Sequence, residues 1–373
     1  MKKICVLQND MAFGGTDTFV INLSQGLVRD RYDVTVVLSA GEKCVSEERK
    51  QELKDTGVKI VKTSSLRGGF KSKLKHLKLL YKELKHGRYD VFQTNIDLFN
   101  GPNLFVAWLA GVPIRVCHSH NTAQAKELKK GRTFSIRMYQ RIMRWLCWTF
   151  SNRRIGCSVV AMDFLFKKKW RNDKNSKVVY NGIDLLRFSG FEKCEEKKNA
   201  LGLSNKLNIL TVGRMDVQKN SIFIAEVFSK LAKERIDVDL IWCGKGELQD
   251  EIENIFLNNG VLDRVHLLGV RFDVNEIMQC CDLFFLPSNF EGFPIVLLEA
   301  QAANLSCITS TNVTTEVNCG GCTYLDLNDS IDNWILKINE KLDQQSKDII
   351  DKTLLNNFTI QTMVSAMEEI CES

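Results

Sequence analysis

NFEGFPIVLLEAQA, residues Asn289 to Ala302, is the stretch from which the fold is read. An apolar run, Leu283 to Leu286, comes before it and stops at Pro287-Ser288, as a short buried strand would. A loop with Glu291, Gly292 and Phe293 follows. Pro294 suits the first helical position, where its missing N–H costs nothing. Ile295, Val296 and Glu299 then lie in the opening turns of that helix. A helix start presents free N–H groups and the positive end of a dipole, which suit a phosphate. Two carboxylates with seven residues between them, Glu291 and Glu299, flank this point. The segment therefore supplies N–H donors for phosphate, a carboxylate for sugar hydroxyls and a second carboxylate for a ribose.

Outward from this segment, the same alternation recurs. Asn208–Val212, Val238–Cys243 and Val265–Leu268 read as strands, and a helical pattern covers Ile222 to Lys233. Earlier in the chain, Lys3–Leu7, Val34–Leu38, Val58–Val61, Tyr89–Thr94 and Ile114–Cys117 repeat the strand pattern between helical segments. Strands alternating with helices predict parallel sheets covered on both faces. The expected class is α/β, with two doubly wound Rossmann-like domains facing each other across a cleft and ligand at the carboxyl ends of the strands. The expected domains are 1–187 and 188–355, with 356–373 as a C-terminal helix; the polar stretch Ser189 to Ala200 reads as the linker.

Several strand ends carry chemistry. Val212-Gly-Arg-Met-Asp-Val-Gln-Lys-Asn220 runs from a strand into a glycine, then Arg214 and Lys219. Arg grips phosphate oxygens in pairs and Lys adds a compact charge, so the two suit a departing diphosphate. Gly14-Gly15 follows the first strand and permits close backbone approach to a ligand. His118 and His120 close the strand Ile114–Cys117. His120 is preferred as the ligand-facing one, and the two are expected on opposite faces if the strand continues. His76, His86 and His266 show no partner pattern. Asp237 and Asp239 read as a solvated strand edge, and no Asp-x-Asp pair argues for a metal. Cys319 and Cys322 form a lone CxxC with no second pair, which does not make a zinc site.

Together these segments resemble glycosyltransferase family 4, retaining enzymes of the GT-B fold. The wording EGFPIVLLEAQA is especially similar to bacterial exopolysaccharide and capsule glycosyltransferases. The resemblance covers nearly the whole chain and is most specific from Asn208 to Ser310. It implies Glu291, His120, Arg214 and Lys219 as catalytic residues. It implies donor contacts at Gly14, Gly15, Arg214, Lys219, Val270, Arg271, Glu291, Gly292, Phe293, Pro294, Ile295, Val296 and Glu299. The backbone at Val270-Arg271 would read the nucleobase, and His118, Asn181 and Gly244 are secondary candidates. The expected reaction moves a sugar from a nucleotide-sugar, by family habit a UDP-sugar, to a lipid-linked or polysaccharide acceptor, without cofactor or metal. The C-terminal helix would return to the first domain. The alternatives are another GT-B enzyme, such as a sugar-nucleotide epimerase or phosphorylase, and a non-catalytic sugar-nucleotide-binding component of a synthesis complex.

Charge is unevenly spread over the 373 residues. Up to Arg187 there are 35 Lys and Arg against 16 Asp and Glu; beyond it there are 16 against 29. The first half thus attracts anions. Lys71 to Arg88 reads as a helix with Leu74, Leu77, Leu80, Tyr81 and Leu84 on its inner stripe and Lys71, Lys75, Lys78, Lys82 and Lys85 opposite. Arg137, Arg141 and Arg144 accompany Trp145 and Trp148, a mixture suited to an anionic membrane surface. No nucleic-acid recognition motif is present. The opening MKKICVLQND has no long apolar signal, and the odd count of 13 cysteines fits reduced thiols in the cytoplasm. The expected location is the inner face of the cell membrane, held peripherally.

Overall fold

The first strand shows why the sheet is buried on both sides. In KICVL, Ile4 and Val6 enter one apolar core while Cys5 and Leu7 enter another. Successive side chains of a strand alternate between faces, so a continuous apolar run fits only a sheet covered on both. The computed structural model describes all residues except 10, 12–13, 28–30, 40–45, 67, 123–132, 191–193, 204–205, 345–347 and 373. It comprises two units, 1–182 with 358–373, and 183–357.

Among the described residues, the first unit has a seven-stranded parallel sheet. Its strands are β1 (Lys2–Gln8), β2 (Tyr32–Leu38), β3 (Lys59–Lys62), β4 (Val91–Thr94), β5 (Ile114–Ser119), β6 (Arg153–Gly156) and β7 (Ser176–Val178). The order is β3-β2-β1-β4-β5-β6-β7. Helices α1 (Gly15–Leu27), α2 (Glu47–Asp55), α3 (Phe70–Gly87), α4 (Asn100–Ala110), α5 (Phe134–Phe150) and α6 (Val159–Phe166) connect them.

The second unit has a six-stranded parallel sheet among its described residues: β8 (Leu207–Val212), β9 (Val238–Cys243), β10 (Val265–Gly269), β11 (Leu283–Leu286), β12 (Ser306–Ser310) and β13 (Cys322–Leu325), in the order β10-β9-β8-β11-β12-β13. Its helices are α7 (Cys194–Ala200), α8 (Ser221–Glu234), α9 (Gln249–Asn258), α10 (Val274–Gln279), α11 (Ile295–Ala302), α12 (Ile331–Leu342) and α13 (Lys352–Leu355). Both sheets are doubly wound, as the sequence pattern predicts. Strand order reverses at β1/β4 and at β8/β11, the points where an open α/β sheet leaves a crevice for ligand.

The last helix, α14 (Ile360–Glu372), packs on α1 in the first unit, and Met363, Val364, Met367 and Ile370 join its core. Gly26 permits this approach: a Cβ there would lie 2.2 Å from Val364 Cγ2. The first unit ends at Gly182, five residues before the expected point, because Leu185–Phe188 forms a tight turn against α10 and α11. α7, within the expected linker, belongs to the second unit.

Two expected faces differ in the structure. On α3 only Leu80 and Leu84 of the apolar stripe are buried, while Leu74 and Tyr81 are exposed, since α4 covers only one sector of the helix. Asp239 is buried, because β9 is an inner strand; Lys206 Nζ donates to it at 3.0 Å, and Arg264 and His266 lie 3.5 Å away.

Met367, on α14, is fully buried in the core that this helix joins. Met367→Ala should lower unfolding stability by about 2–5 kcal/mol in urea denaturation. A loss under about 1 kcal/mol would show that α14 is not an integral layer of this core.

Candidate functional site

In the second unit, the loops after β8 and β11 leave the sheet on either side of the strand reversal and meet. Lys219 Nζ donates to Glu291 Oε1 at 2.7 Å. Ser288 Oγ donates to the same oxygen at 2.9 Å, and Gln218 Nε2 reaches Glu291 Oε2 at 3.4 Å. The two loops are tied by their backbones as well: Asn289 N donates to Gln218 O, and Asn289 Nδ2 to Val217 O at 2.7 Å. Both side chains of the ion pair are largely buried, Lys219 at 15% exposure and Glu291 at 8%.

Local conformation aims Lys219. Its N–H donates to Asp216 Oδ1 at 3.0 Å, and Asn220 takes a left-handed conformation (φ 57°) that starts α8. Asn tolerates this region better than most residues. Gly213 (φ 152°) lies beneath the lysine, and a Cβ there would come within 2.8 Å of Lys219 Cε. Gly244 has a packing role: a Cβ on it would lie 1.9 Å from the carbonyl oxygen of Gly213. The glycines ending β8 and β9 thus let two strand ends close up beneath the site. Arg214 extends outward, 69% exposed, with Asp216 at 3.2 Å.

The helix after Glu291 starts one residue later than expected. Pro294 is extended (ψ 91°) and caps the helix, and Ile295 is its first residue. Gly292, Phe293, Pro294 and Ile295 are buried, and Val296 and Glu299 are half-buried. Val270 and Arg271 follow β10, two strands from β8. The Arg271 side chain is engaged with Asp273 at 2.6 and 2.8 Å. Burial works against the Asp273 charge, yet hydrogen bonds from Arg271 and Lys197 hold its carboxyl down at about 2. Arg271 therefore offers backbone rather than guanidinium.

The first unit gathers a different set at its own reversal. His118 and His120 do not diverge. Residues i and i+2 of a strand share a face, and their ring centroids are 3.8 Å apart, both against Phe19. His118 Nδ1 meets Gln93 Nε2 at 3.2 Å, and His120 Nε2 meets Asn95 Oδ1 at 3.0 Å. His118 Nε2 and His120 Nδ1 are buried and find no hydrogen-bond partner among the described residues. Burial pushes His118 well below its ordinary range, with help from the neighbouring His120, and brings His120 down to about 3. Both rings are neutral near pH 7.

Asp97, left-handed at φ 45°, accepts from the His120 N–H at 3.2 Å and from Asn121 Nδ2. Burial raises its carboxyl, which these bonds oppose. Gln93, Asn95 and Asp97 were not singled out in the sequence, because Gln, Asn and Asp at a strand end carry no spacing signal. His76, expected without partners, is buried between Thr63 Oγ1 at 2.8 Å and Asn103 Oδ1 at 3.1 Å.

Gly14 and Gly15 open α1, and Asp17 anchors the turn. Its carboxylate accepts from Gly14 N at 3.0 Å and from Gln8 Nε2 at 2.7 Å. Asn181 is buried with its Oδ1 lacking a partner among the described residues, next to Gly182, whose carbonyl accepts from Asn22 Nδ2. The structure thus brings Lys219 together with Glu291, and His118 with His120. Among the described residues no cluster of three His, Cys, Asp or Glu side chains is arranged to hold a metal ion, and no helix is long and apolar enough to cross a membrane.

Comparison with known proteins gives a consistent result. Residues 13–187 match the profile of Glycosyltransferase Family 4, and residues 193–349 that of Glycosyl transferases group 1. The putative glycosyltransferase EpsF of Bacillus subtilis is 30% identical over 338 residues, covering 89% of this chain and 86% of EpsF. The Escherichia coli UDP-Gal:alpha-D-GlcNAc-diphosphoundecaprenol alpha-1,3-galactosyltransferase is 28% identical, covering 80% of this chain and 79% of its own. The crystal structure of Anabaena HepE in complex with UDP and glucose aligns with a TM-score of 0.82 at 18% identity, over 99% of each chain.

The buried histidines give the first unit a defined pH response. An unfolded chain protonates these rings near pH 6.5, whereas folded His120 resists until about 3. The unfolded state therefore binds more protons in this window, and stability falls as pH drops. At pH 5 the cost is about 2 kcal/mol for His120. Thermal or urea unfolding of His120→Gln should show a correspondingly smaller loss between pH 7 and pH 5. An identical pH dependence in the variant would refute a buried neutral imidazole.

Proposed function

The chain belongs to glycosyltransferase family 4, with the two Rossmann-like units of the GT-B fold, and on that premise we propose that it is a retaining enzyme using a UDP-sugar and a lipid-linked saccharide acceptor. The observation that carries the reading is the Lys219–Glu291 pair at the carboxyl ends of β8 and β11, with Arg214 in the same loop as Lys219 and turned outward. A donor diphosphate recruits Lys219 and Arg214, and Glu291 then accepts from hydroxyls of the sugar. Fixed cations aimed at the charge that develops on the leaving diphosphate lower the barrier. The start of α11 adds N–H groups and dipole, and Glu299, one turn in, accepts from the ribose. These groups supply the positive charge without a metal.

In this mechanism the bond from the anomeric carbon to the phosphate oxygen breaks, and its electron pair leaves with UDP. The acceptor oxygen bonds to that carbon on the face being vacated, and its proton passes to a donor phosphate oxygen. His120, neutral near pH 7, is proposed to act as a hydrogen-bonding rather than a charged group. His118, fully buried, positions it. Two names support the substrate classes. The E. coli relative is named for UDP-Gal and a diphosphoundecaprenol-linked sugar, and HepE was crystallised with UDP and glucose. The basic first half and the exposed aromatic residues of α4 and α5 support peripheral attachment at the inner face of the cell membrane, in the assembly of an exopolysaccharide or capsule.

Screening UDP-sugars for transfer to polyprenyl-diphosphate saccharides tests the proposal, with the product anomer read by NMR. Glu291→Gln keeps the Ser288 contact and should retain UDP binding while losing about 10²-fold or more in turnover. Unchanged turnover would remove Glu291 from the chemistry, and an inverted anomer would overturn the retaining mechanism.

A further inference from the structure

Two cysteines far apart in the chain meet where α7 packs on α10. Cys194, Lys197 and Lys198 of α7 are half-buried, while Glu195, Glu196 and Asn199 are exposed. Positions i, i+3 and i+4 share one face of a helix, and here that face is turned to α10. Lys197 is held by Asp273 and Glu276 at the start of α10. Cys194 meets the other end. Its Sγ donates to Gln279 O at 3.8 Å, and Cys280, which caps α10, donates from Sγ to Cys194 O at 3.7 Å. The two thiols are also hydrogen-bonded to each other.

The pair is unequal. Cys194 is half-buried and Cys280 is buried. Burial pushes the Cys280 thiol up to about 12, the bond to Cys194 adds to this, and Lys198 and Lys197 work the other way. The adjacent Cys281 is engaged elsewhere, donating to Ile277 O at 3.1 Å. Other thiols also touch, Cys117 with Cys147 and Cys307 with Cys322. Cys117 and Cys147 are both buried. Cys307 and Cys322 are partners in the ladder of β12 and β13, so a bridge there must fit inside the sheet. Cys194 and Cys280 instead join a surface helix to the end of another. A small shift of α7 can bring their sulfurs to the bonding distance of about 2 Å without disturbing a strand.

We infer that Cys194 and Cys280 form a disulfide when the protein meets a peroxide, fastening α7 to the end of α10. The more accessible Cys194 reacts first. Its thiolate attacks a peroxide oxygen: the S–O bond forms, the O–O bond breaks, and water leaves once a proton is taken up. Cys280 Sγ then attacks Cys194 Sγ; the S–S bond forms, the S–O bond breaks, and a second water leaves. The two thiols give up two electrons and two protons, and the peroxide is reduced by them. The link pins α10 at both ends, since Lys197 already holds its start. Just before α10 lies the turn Val270-Arg271-Phe272, whose Arg271 is bonded to the same Asp273. Oxidation therefore tightens the segment that follows β10. The inference does not depend on the enzyme reading.

The test is peptide mapping of the reduced full chain under non-reducing conditions, before and after hydrogen peroxide. The expected product is a linked pair of peptides holding Cys194 and Cys280, lighter than their sum by two hydrogens and released by dithiothreitol. It should be about tenfold or more abundant than any other cysteine pair. Cys194→Ser, a change outside the core, should abolish the link. Amide hydrogen exchange over 274–280 should slow about tenfold on oxidation of wild type and stay unchanged in the variant. Oxidation of Cys194 to a sulfinic acid with Cys280 left as a free thiol would overturn the inference. Preferential linkage of Cys307 to Cys322 would overturn it too. A Cys194–Cys280 link that leaves exchange over 274–280 unaltered would refute the pinning of α10.

Discussion

The contact between Lys219 and Glu291 depends on a topological constraint. A parallel sheet whose strand order reverses must send two neighbouring loops in opposite directions, and β8 and β11 are the neighbours at which this happens. Their loops can meet again only above the crevice, and here they do so through an ion pair at 2.7 Å with Ser288 and Gln218 filling the remaining oxygen positions. Such a pair is a poor way to gain stability, because desolvating two charges offsets most of their attraction. Its placement makes sense as held charge: Glu291 keeps Lys219 from the solvent it would otherwise seek, and both remain at the strand ends. The glycines under them follow from the same geometry. Gly213 leaves room for the lysine stem, and Gly244 leaves room for Gly213.

The first unit repeats the topology and builds the opposite electrostatics. At β1/β4 the crevice is lined with amides and neutral rings, Gln93, Asn95, His118 and His120, rather than with ions. Burial makes the difference, since an imidazolium with no carboxylate partner cannot remain charged at zero to seven per cent exposure. The residue nearest to supplying that partner, Asp97, spends its hydrogen bonds on backbone N–H and Asn121 instead.

What the sequence disclosed followed the strength of its apolar signal. LNILTV, VDLIWC and LFFL announce buried strands, and the strand–loop–helix around Glu291 lies where the sequence puts it. The strands that escaped are polar: SCITS of β12 is wholly buried through hydroxyl and thiol groups that bond inward, such as Thr309 Oγ1 to Leu286 O. RRIG of β6 hides an arginine that is neutralised by Asp173 at 2.8 Å and stacked on Trp148. Neither compensation is local in sequence, so no period or propensity reveals it. The same holds for the ion pair, which joins residues 72 apart. A motif can nominate Lys219 and Glu291 separately, but only the sheet order makes them neighbours.

The uneven charge of the two halves also acquires a structural meaning. In the second unit, basic residues are largely consumed by nearby acids: Lys197 by Asp273 and Glu276, Arg235 by Asp237 and Asp343, Lys341 by Asp348. Those pairs fasten helices to strand ends and leave little field beyond a Debye length. In the first unit, α5 carries arginines with no acid on the helix at all, and α3 carries lysines along a face where Leu74 and Tyr81 are also exposed. A fold does not need that arrangement, since solvated lysines alone would keep the surface soluble and the exposed rings raise its hydrophobicity. Cations and aromatic groups placed together on outward helix faces are instead the combination that an anionic, partly apolar surface satisfies. The excess of positive charge in the first half thus includes cations carried on outward helix faces, where the second unit ties many of its own into ion pairs.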